Sequence, residues 1–200
     1  MHTETKELDA RIAQRLLSLR RAKGLSLMDL AALSGVSKAM ISRVERADSS
    51  PTATILGRLA AGLGVTLTEL LVAPAPERQR LRRRAAQPLW RDPELGYYRR
   101  QVAPPDARGG MEMVEVEMPE GARVSYPNWG GAPYMQRLWM LEGALRIEYG
   151  DETFDLETGD SLDFSVERPV SFRVSGARGC RYLLVLAPAA GQGNDAALDR

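Results

Sequence analysis

Leu8, Ile12, Leu16 and Leu19 recur at intervals of three and four residues. That is the spacing of one apolar face on a 3.6-residue helix, and Lys23-Gly24 marks its end. Ser26 followed three residues later by Asp29 has the pattern of a capping box ahead of Leu27, Leu30, Ala31 and Leu33, so a short second helix is expected. Gly35 turns the chain. Ser37 stands as the N-cap of a third helix running to Arg46, Ser50-Pro51 or Thr52 opens a fourth carrying Ile55, Leu56, Leu59, Ala60 and Leu63, and Thr66 with Glu69 caps a fifth. Beyond Met111 the period changes from 3.6 to 2: Val114, Val116 and Met118 alternate with Glu115 and Glu117. Turns follow at short intervals, at Pro119-Glu120-Gly121, Tyr149-Gly150-Asp151 and Thr158-Gly159-Asp160. The pattern predicts an all-α unit of five helices followed by an all-β antiparallel unit. Leu138-Trp139-Met140-Leu141 and Tyr182-Leu183-Leu184-Val185-Leu186 are apolar on both faces. One face belongs in the core, and the other fits either burial against a second sheet or a dimer interface.

Charge sharpens this division. The 200 residues carry a formal net charge of +1, but residues 1–72 carry +3, residues 73–100 carry +5 and residues 101–200 carry −7. A basic front joined to an acidic back suggests that the front meets a polyanion. Ala73-Pro74-Ala75-Pro76 and the run Arg78, Arg80, Arg82, Arg83 and Arg84 mark residues 73–88 as a basic linker, read either as solvated chain or as a further DNA contact. Residues 1–72 are then the helical domain, 89–190 the β domain and 191–200 a flexible tail. The chain has one histidine, His2, and one cysteine, Cys180. These exclude a His/Cys zinc site and a histidine-based nucleophile system, and a lone cysteine fits a reducing compartment. No apolar run approaches 18 residues and the polar N-terminus is no signal peptide, so a cytoplasmic protein without a membrane span is expected.

The third helix offers a surplus face. Advancing 100° per residue puts Ile41 and Val44 on the buried side and Ala39, Ser42, Arg43 and Arg46 opposite, with Lys38 near the edge. This small, basic face suits a groove walled by phosphates, and on periodicity alone an ordinary solvated face fits equally. Leu25 to Arg46, with Ser50-Pro51-Thr52 and Leu63-Gly64-Val65 behind it, resembles the XRE, or phage-repressor-like, helix-turn-helix family over residues 12–71. The resemblance implies operator DNA as a partner. Its base-reading positions fall on Lys38, Ala39 and Arg43, with Ser37 and Ser42 placed for backbone or base-edge contacts and phosphate contacts around Ser26 and Thr52. Leu27 stands where the family often has glutamine.

Trp139 to Leu145, Leu156 to Leu162 and Arg168 to Arg173 resemble a cupin, a small jelly-roll barrel, over residues 110–188. Aligned on Gly143 and Gly159, the places of the cupin metal ligands hold Gly130, Ala132, Gln136 and Val170. This is no donor set for a transition metal, so no cofactor is expected. Tyr126, Trp129, Tyr134, Gln136, Arg168 and Arg173 are left around the barrel mouth, beside Val170, as the expected lining of a small-molecule pocket. The leading expectation is a sequence-specific transcription regulator, a repressor acting as a homodimer, whose metal-free cupin domain binds a small organic effector. Two alternatives stay open. One is a metal-free cupin isomerase or epimerase with a DNA-binding appendage, and the other is a constitutive DNA-binding protein whose barrel only dimerises.

Overall fold

The local signals above become the first five elements of the computed structural model, which describes residues 2–72, 80–104, 110–128 and 134–188. They are α1 (His2–Ala22), α2 (Leu27–Ser34), α3 (Lys38–Glu45), α4 (Ala53–Leu63) and α5 (Leu67–Leu71). Capping sets the starts of α2 to α5. The Ser26 hydroxyl accepts from the Asp29 amide at 3.1 Å while the Asp29 carboxylate accepts from the Ser26 amide at 2.8 Å. Thr66 and Glu69 repeat that exchange at 3.1 and 2.7 Å. Ile12, Leu16, Leu30, Ile41, Leu56, Leu59, Leu63 and Leu70 are buried where the five helices meet.

A 3-10 turn at Arg84–Ala86 leads into β1 (Leu89–Arg91), β2 (Tyr98–Ala103), β3 (Glu112–Met118), β4 (Arg123–Tyr126) and β5 (Tyr134–Glu142). Then follow β6 (Ala144–Tyr149), β7 (Glu152–Glu157), β8 (Ser161–Ser165), β9 (Val170–Val174) and β10 (Cys180–Pro188). They form two antiparallel sheets, in the orders β1-β2-β3-β10-β5-β8 and β4-β9-β6-β7. The expected barrel is thus a two-sheet jelly roll, with no ladder closing one sheet onto the other among the described residues. Alternation fills the space between the sheets. Val114, Val116, Leu138, Met140, Tyr182 and Leu184 come from one sheet, and Leu145, Ile147, Phe172 and Val174 from the other.

The two domains are not separate bodies on a string, because α4 and α5 sit on the open end of the jelly roll. Asp92, 1% exposed, accepts from the Ala53 amide at the start of α4 at 2.7 Å while its other oxygen holds the amides of Glu94 and Leu95 at 2.9 and 2.6 Å. The Thr66 hydroxyl that caps α5 also donates to Glu112 on β3 at 2.8 Å. Gly57 in α4 lies flat against the ring of Tyr126. Hydrophobic packing is continuous through both domains.

Candidate DNA-reading helix and effector pocket

The helix-turn-helix is built from α2, a left-handed turn at Gly35 (φ 65°) and α3. Ser37 caps α3 by accepting from the Met40 amide at 3.2 Å. Ile41 and Val44 are buried, Lys38, Ala39, Arg43 and Arg46 are exposed, and Ser42 is half-buried beside them. The one acid of α3 is turned away from this face: Glu45 receives Nε and Nη2 of Arg20 at 2.6 and 2.8 Å. Arg46 is held over the helix, donating to Asp48 at 2.7 Å and to the Ser42 hydroxyl at 2.6 Å. Arg43 has only the Met40 sulfur at 3.5 Å, and neither it nor Lys38 has an acidic partner among the described residues. No hydrogen bond or ion pair ties α3 to the β domain among them. The face therefore presents two cations, a small residue and a hydroxyl around a helix whose negative charge is neutralised on the inner side.

Ser26 and Thr52 flank this helix but spend their hydroxyls on caps, Thr52 accepting from the Ile55 amide at 3.5 Å. The next amide after Thr52, that of Ala53, already holds the Asp92 carboxylate, so the start of α4 faces the jelly roll. In the basic linker, Arg78 lies outside the described residues. Arg80 and Arg83 are exposed, Arg82 is half-buried, and Arg84 is tied to Glu115 on β3 at 2.9 Å. Among the described linker arginines, Arg80, Arg82 and Arg83 thus make no ion pair with a described residue. Replacing Arg80, Arg82 and Arg83 with Gln is expected to flatten the salt dependence of DNA affinity by up to about 0.9 in log–log slope per lost phosphate contact, with the preferred sequence unchanged. Titrations across a salt series would check this, and an unaltered slope would leave the run as solvated chain.

The expected effector pocket is brought together only in part. Tyr126, Tyr134, Gln136 and Val170 converge between the sheets, joined by Arg99 of β2 and roofed by Leu67 of α5, and the void among them measures about 30 Å³. That is room for a water molecule rather than a metabolite. The aromatic rings fill the rest: Phe172 stacks on Tyr182 at 6.1 Å between centroids, and Tyr126 meets Phe172 edge-on at 6.1 Å. The Tyr97 and Tyr126 hydroxyls are 3.0 Å apart. Arg168 is elsewhere, in the exposed turn between β8 and β9, where it pairs with Glu152 at 3.2 Å and lies over the Tyr149 ring. An arginine so satisfied on the surface has no reason to enter an apolar mouth. Arg173 points to the outer face of the four-stranded sheet, in register with Arg123 and Arg146. Trp129 lies outside the described residues.

Burial pushes the phenols of Tyr126, Tyr134 and Tyr182 up, so each is a neutral hydroxyl at physiological pH, and it pushes the Cys180 thiol up to about 12. Burial also raises the Glu112 carboxyl, against the hydrogen bond from Thr66. Of the four places aligned with cupin metal ligands, Gln136 and Val170 face the interior and Gly130 and Ala132 lie outside the described residues. An amide and an aliphatic group do not fit a metal, and no cluster of three His, Cys, Asp or Glu stands ready to hold one among the described residues. Sequence reasoning missed Arg99 and Glu112, although alternation along Tyr97, Arg99 and Gln101 could have marked the arginine as inward-facing.

Residues 16–70 match the helix-turn-helix family HTH_3. The chain thus carries an XRE-type helix-turn-helix domain, with a two-sheet jelly roll behind it. It is 29% identical over 163 residues to the HTH-type transcriptional regulator SutR of Escherichia coli (strain K12), covering 80% of this chain and 85% of that one. In three dimensions it is similar to an HTH_3 family transcriptional regulator from Vibrio cholerae, with a TM-score of 0.75 at 24% identity, over 92% of this chain and 98% of the other. A weaker likeness, with a TM-score of 0.42 at 15% identity, is to the cupin domain of an XRE family regulator from Enterobacter cloacae, over 46% of this chain and 95% of that one. The regulator has no helix long and apolar enough to cross a membrane among its described residues.

Proposed function

We propose that this regulator is a sequence-specific repressor that reads operator DNA with the outer face of α3, binds as a homodimer and responds to a small organic effector. The observation that carries the reading is the arrangement on α3: Lys38 and Arg43 stand without acidic partners beside Ala39, while Glu45 is drawn inward by Arg20. A guanidinium on such a helix suits bidentate contact with a guanine edge, and the small neighbour permits close approach to the groove. Arg43→Ala is expected to weaken binding to a selected operator by about 1–3 kcal/mol and to relax preference at one base pair. Selection from a random duplex pool followed by titration of both proteins tests it. Equal affinity of the two for the selected site would overturn the assignment of α3.

The second copy of the chain is assigned to the outer face of the six-stranded sheet. Trp139 and Met135 are 50% and 43% exposed there, and Leu183 pairs with Trp139 across the ladder while Val185 lies next to Met113. In their midst Arg137 and Asp163 form a two-pronged ion pair at 2.5 and 2.8 Å. An apolar stripe whose charges are already satisfied within one protomer can meet its own copy about a two-fold axis without stranding a charge. Two such chains would present two α3 helices to half-sites about 10 bp apart.

A further inference from the structure

A second, larger space lies between the domains. It measures about 550 Å³ and is bounded by α1 and the end of α5 on one side and by β1 and β2 on the other. This is within the range of roughly 300–1,000 Å³ found for small-molecule sites, which favour domain boundaries. Its wall is apolar where Leu71, Val72 and Trp90 line it, and basic where Arg11, Arg15 and Arg99 do. No Asp or Glu is among its described lining residues.

The three arginines differ in what they can offer. Arg15 uses Nε on the Glu69 carbonyl at 2.8 Å, which fixes the direction of its guanidinium. Arg11 is exposed at the rim. Arg99 is 8% exposed, stands between this cavity and the void inside the jelly roll, and makes no ion pair or hydrogen bond among the described residues. Glu112, the acid whose field reaches it, is engaged by Thr66 instead. Guanidinium keeps its proton when buried, so an unpaired one is costly and its forked donors remain open to a planar anion. A carboxylate matches that fork with two parallel hydrogen bonds.

We propose that this interdomain cavity binds a small organic carboxylate with an apolar body, its carboxylate on Arg99 and Arg11 and its body against Trp90, Leu71 and Val72. The effector role of such a ligand rests on the regulator reading above. It would touch the DNA-reading domain and the jelly roll at once, and so favour one placement of the α3 helices over another.

The experiment uses the full chain and two matched pairs of probes, phenylacetate with phenethylamine and hexanoate with hexylamine, titrated by calorimetry. Both carboxylates are expected to bind and neither amine to do so. Affinity should fall at least tenfold in Arg99→Gln and in Arg11→Gln, the latter an exposed substitution that leaves packing intact. It should be abolished in Ser18→Trp, which fills the cavity from the exposed side of α1, while Gln136→Ala inside the jelly roll has no effect. Failure of both carboxylates to bind overturns the proposal. Binding that survives Arg11→Gln and Ser18→Trp but is lost in Gln136→Ala overturns it too, and moves the ligand into the jelly roll. Operator titration with and without phenylacetate separates the two readings. A shift of about 5- to 150-fold is the usual range for coupled sites. Cavity-specific binding without any shift supports the site and sinks the effector role.

Discussion

The substitution Gly57→Leu is expected to unseat the helical domain from the jelly roll. A Cβ at this position in α4 would lie 2.3 and 2.6 Å from Cδ1 and Cε1 of Tyr126, well inside van der Waals contact. The ring cannot step aside, because its hydroxyl is 3.0 Å from that of Tyr97 and its edge packs on Phe172. Helix propensity pulls the other way, since any ordinary residue is better than glycine inside a helix by about 0.5–1 kcal/mol. Overpacking a fixed contact costs about 1–3 kcal/mol, and the bulk of leucine puts the expected loss at or above the upper end. Separation also strips the Asp92 carboxylate of its Ala53 amide, a hydrogen bond to a charged group worth about 1.5–3 kcal/mol. The clash therefore outweighs the propensity gain. Calorimetric melting should change from one transition to two, and limited proteolysis should cut faster within residues 73–88. A single transition at an unchanged temperature would show that α4 does not depend on Tyr126.

The double substitution Leu183→Glu and Trp139→Glu is expected to produce a monomer that barely holds its operator. The two positions face each other across β10 and β5 on the outer side of the sheet, so four like charges would meet in an isologous dimer. Neither position faces the interior of the jelly roll, so the protomer itself should fold. Losing the tether between two DNA-reading heads removes the effective-concentration advantage, about 10²–10⁴ in affinity. Sedimentation gives the mass, and titration of the full dyad against a single half-site gives the loss. A variant that stays dimeric would place the second copy on another surface.

The helices were legible because their determinants are local. A capping box such as Ser26 with Asp29 spans three residues, and an apolar stripe such as Ile12 and Leu16 repeats within one turn. Neither needs the rest of the chain to declare itself. Alternation in β3 declared the strands for the same reason, and the basic face of α3 followed from helical geometry alone. The candidate pocket was a different matter. Placing Tyr126, Tyr134, Gln136 and Val170 at one mouth was within reach of a resemblance, but the volume left among them depends on how every neighbouring ring packs. Arg168 shows the same limit, since its position in a sequence turn gave no sign that Glu152 and Tyr149 would hold it on the surface.

By itself the sequence determined two domains of different class, the caps that open α2, α3 and α5, the face of α3 turned outward and the want of metal donors at Gln136 and Val170. Each follows from periods of 2 or 3.6 residues or from residue chemistry, which are properties of short stretches. Only the tertiary structure decided that the domains dock, and that docking leaves a large cavity beside Arg99 while the jelly-roll interior closes to a water-sized void. The contacts responsible join Ala53 to Asp92 and Thr66 to Glu112, separations of 39 and 46 residues, with Gly57 against Tyr126 beside them. A long-range pair of single polar groups, or a glycine that matters for the atom it lacks, has no periodicity to announce it, and it acquires meaning only when the chain has closed around it.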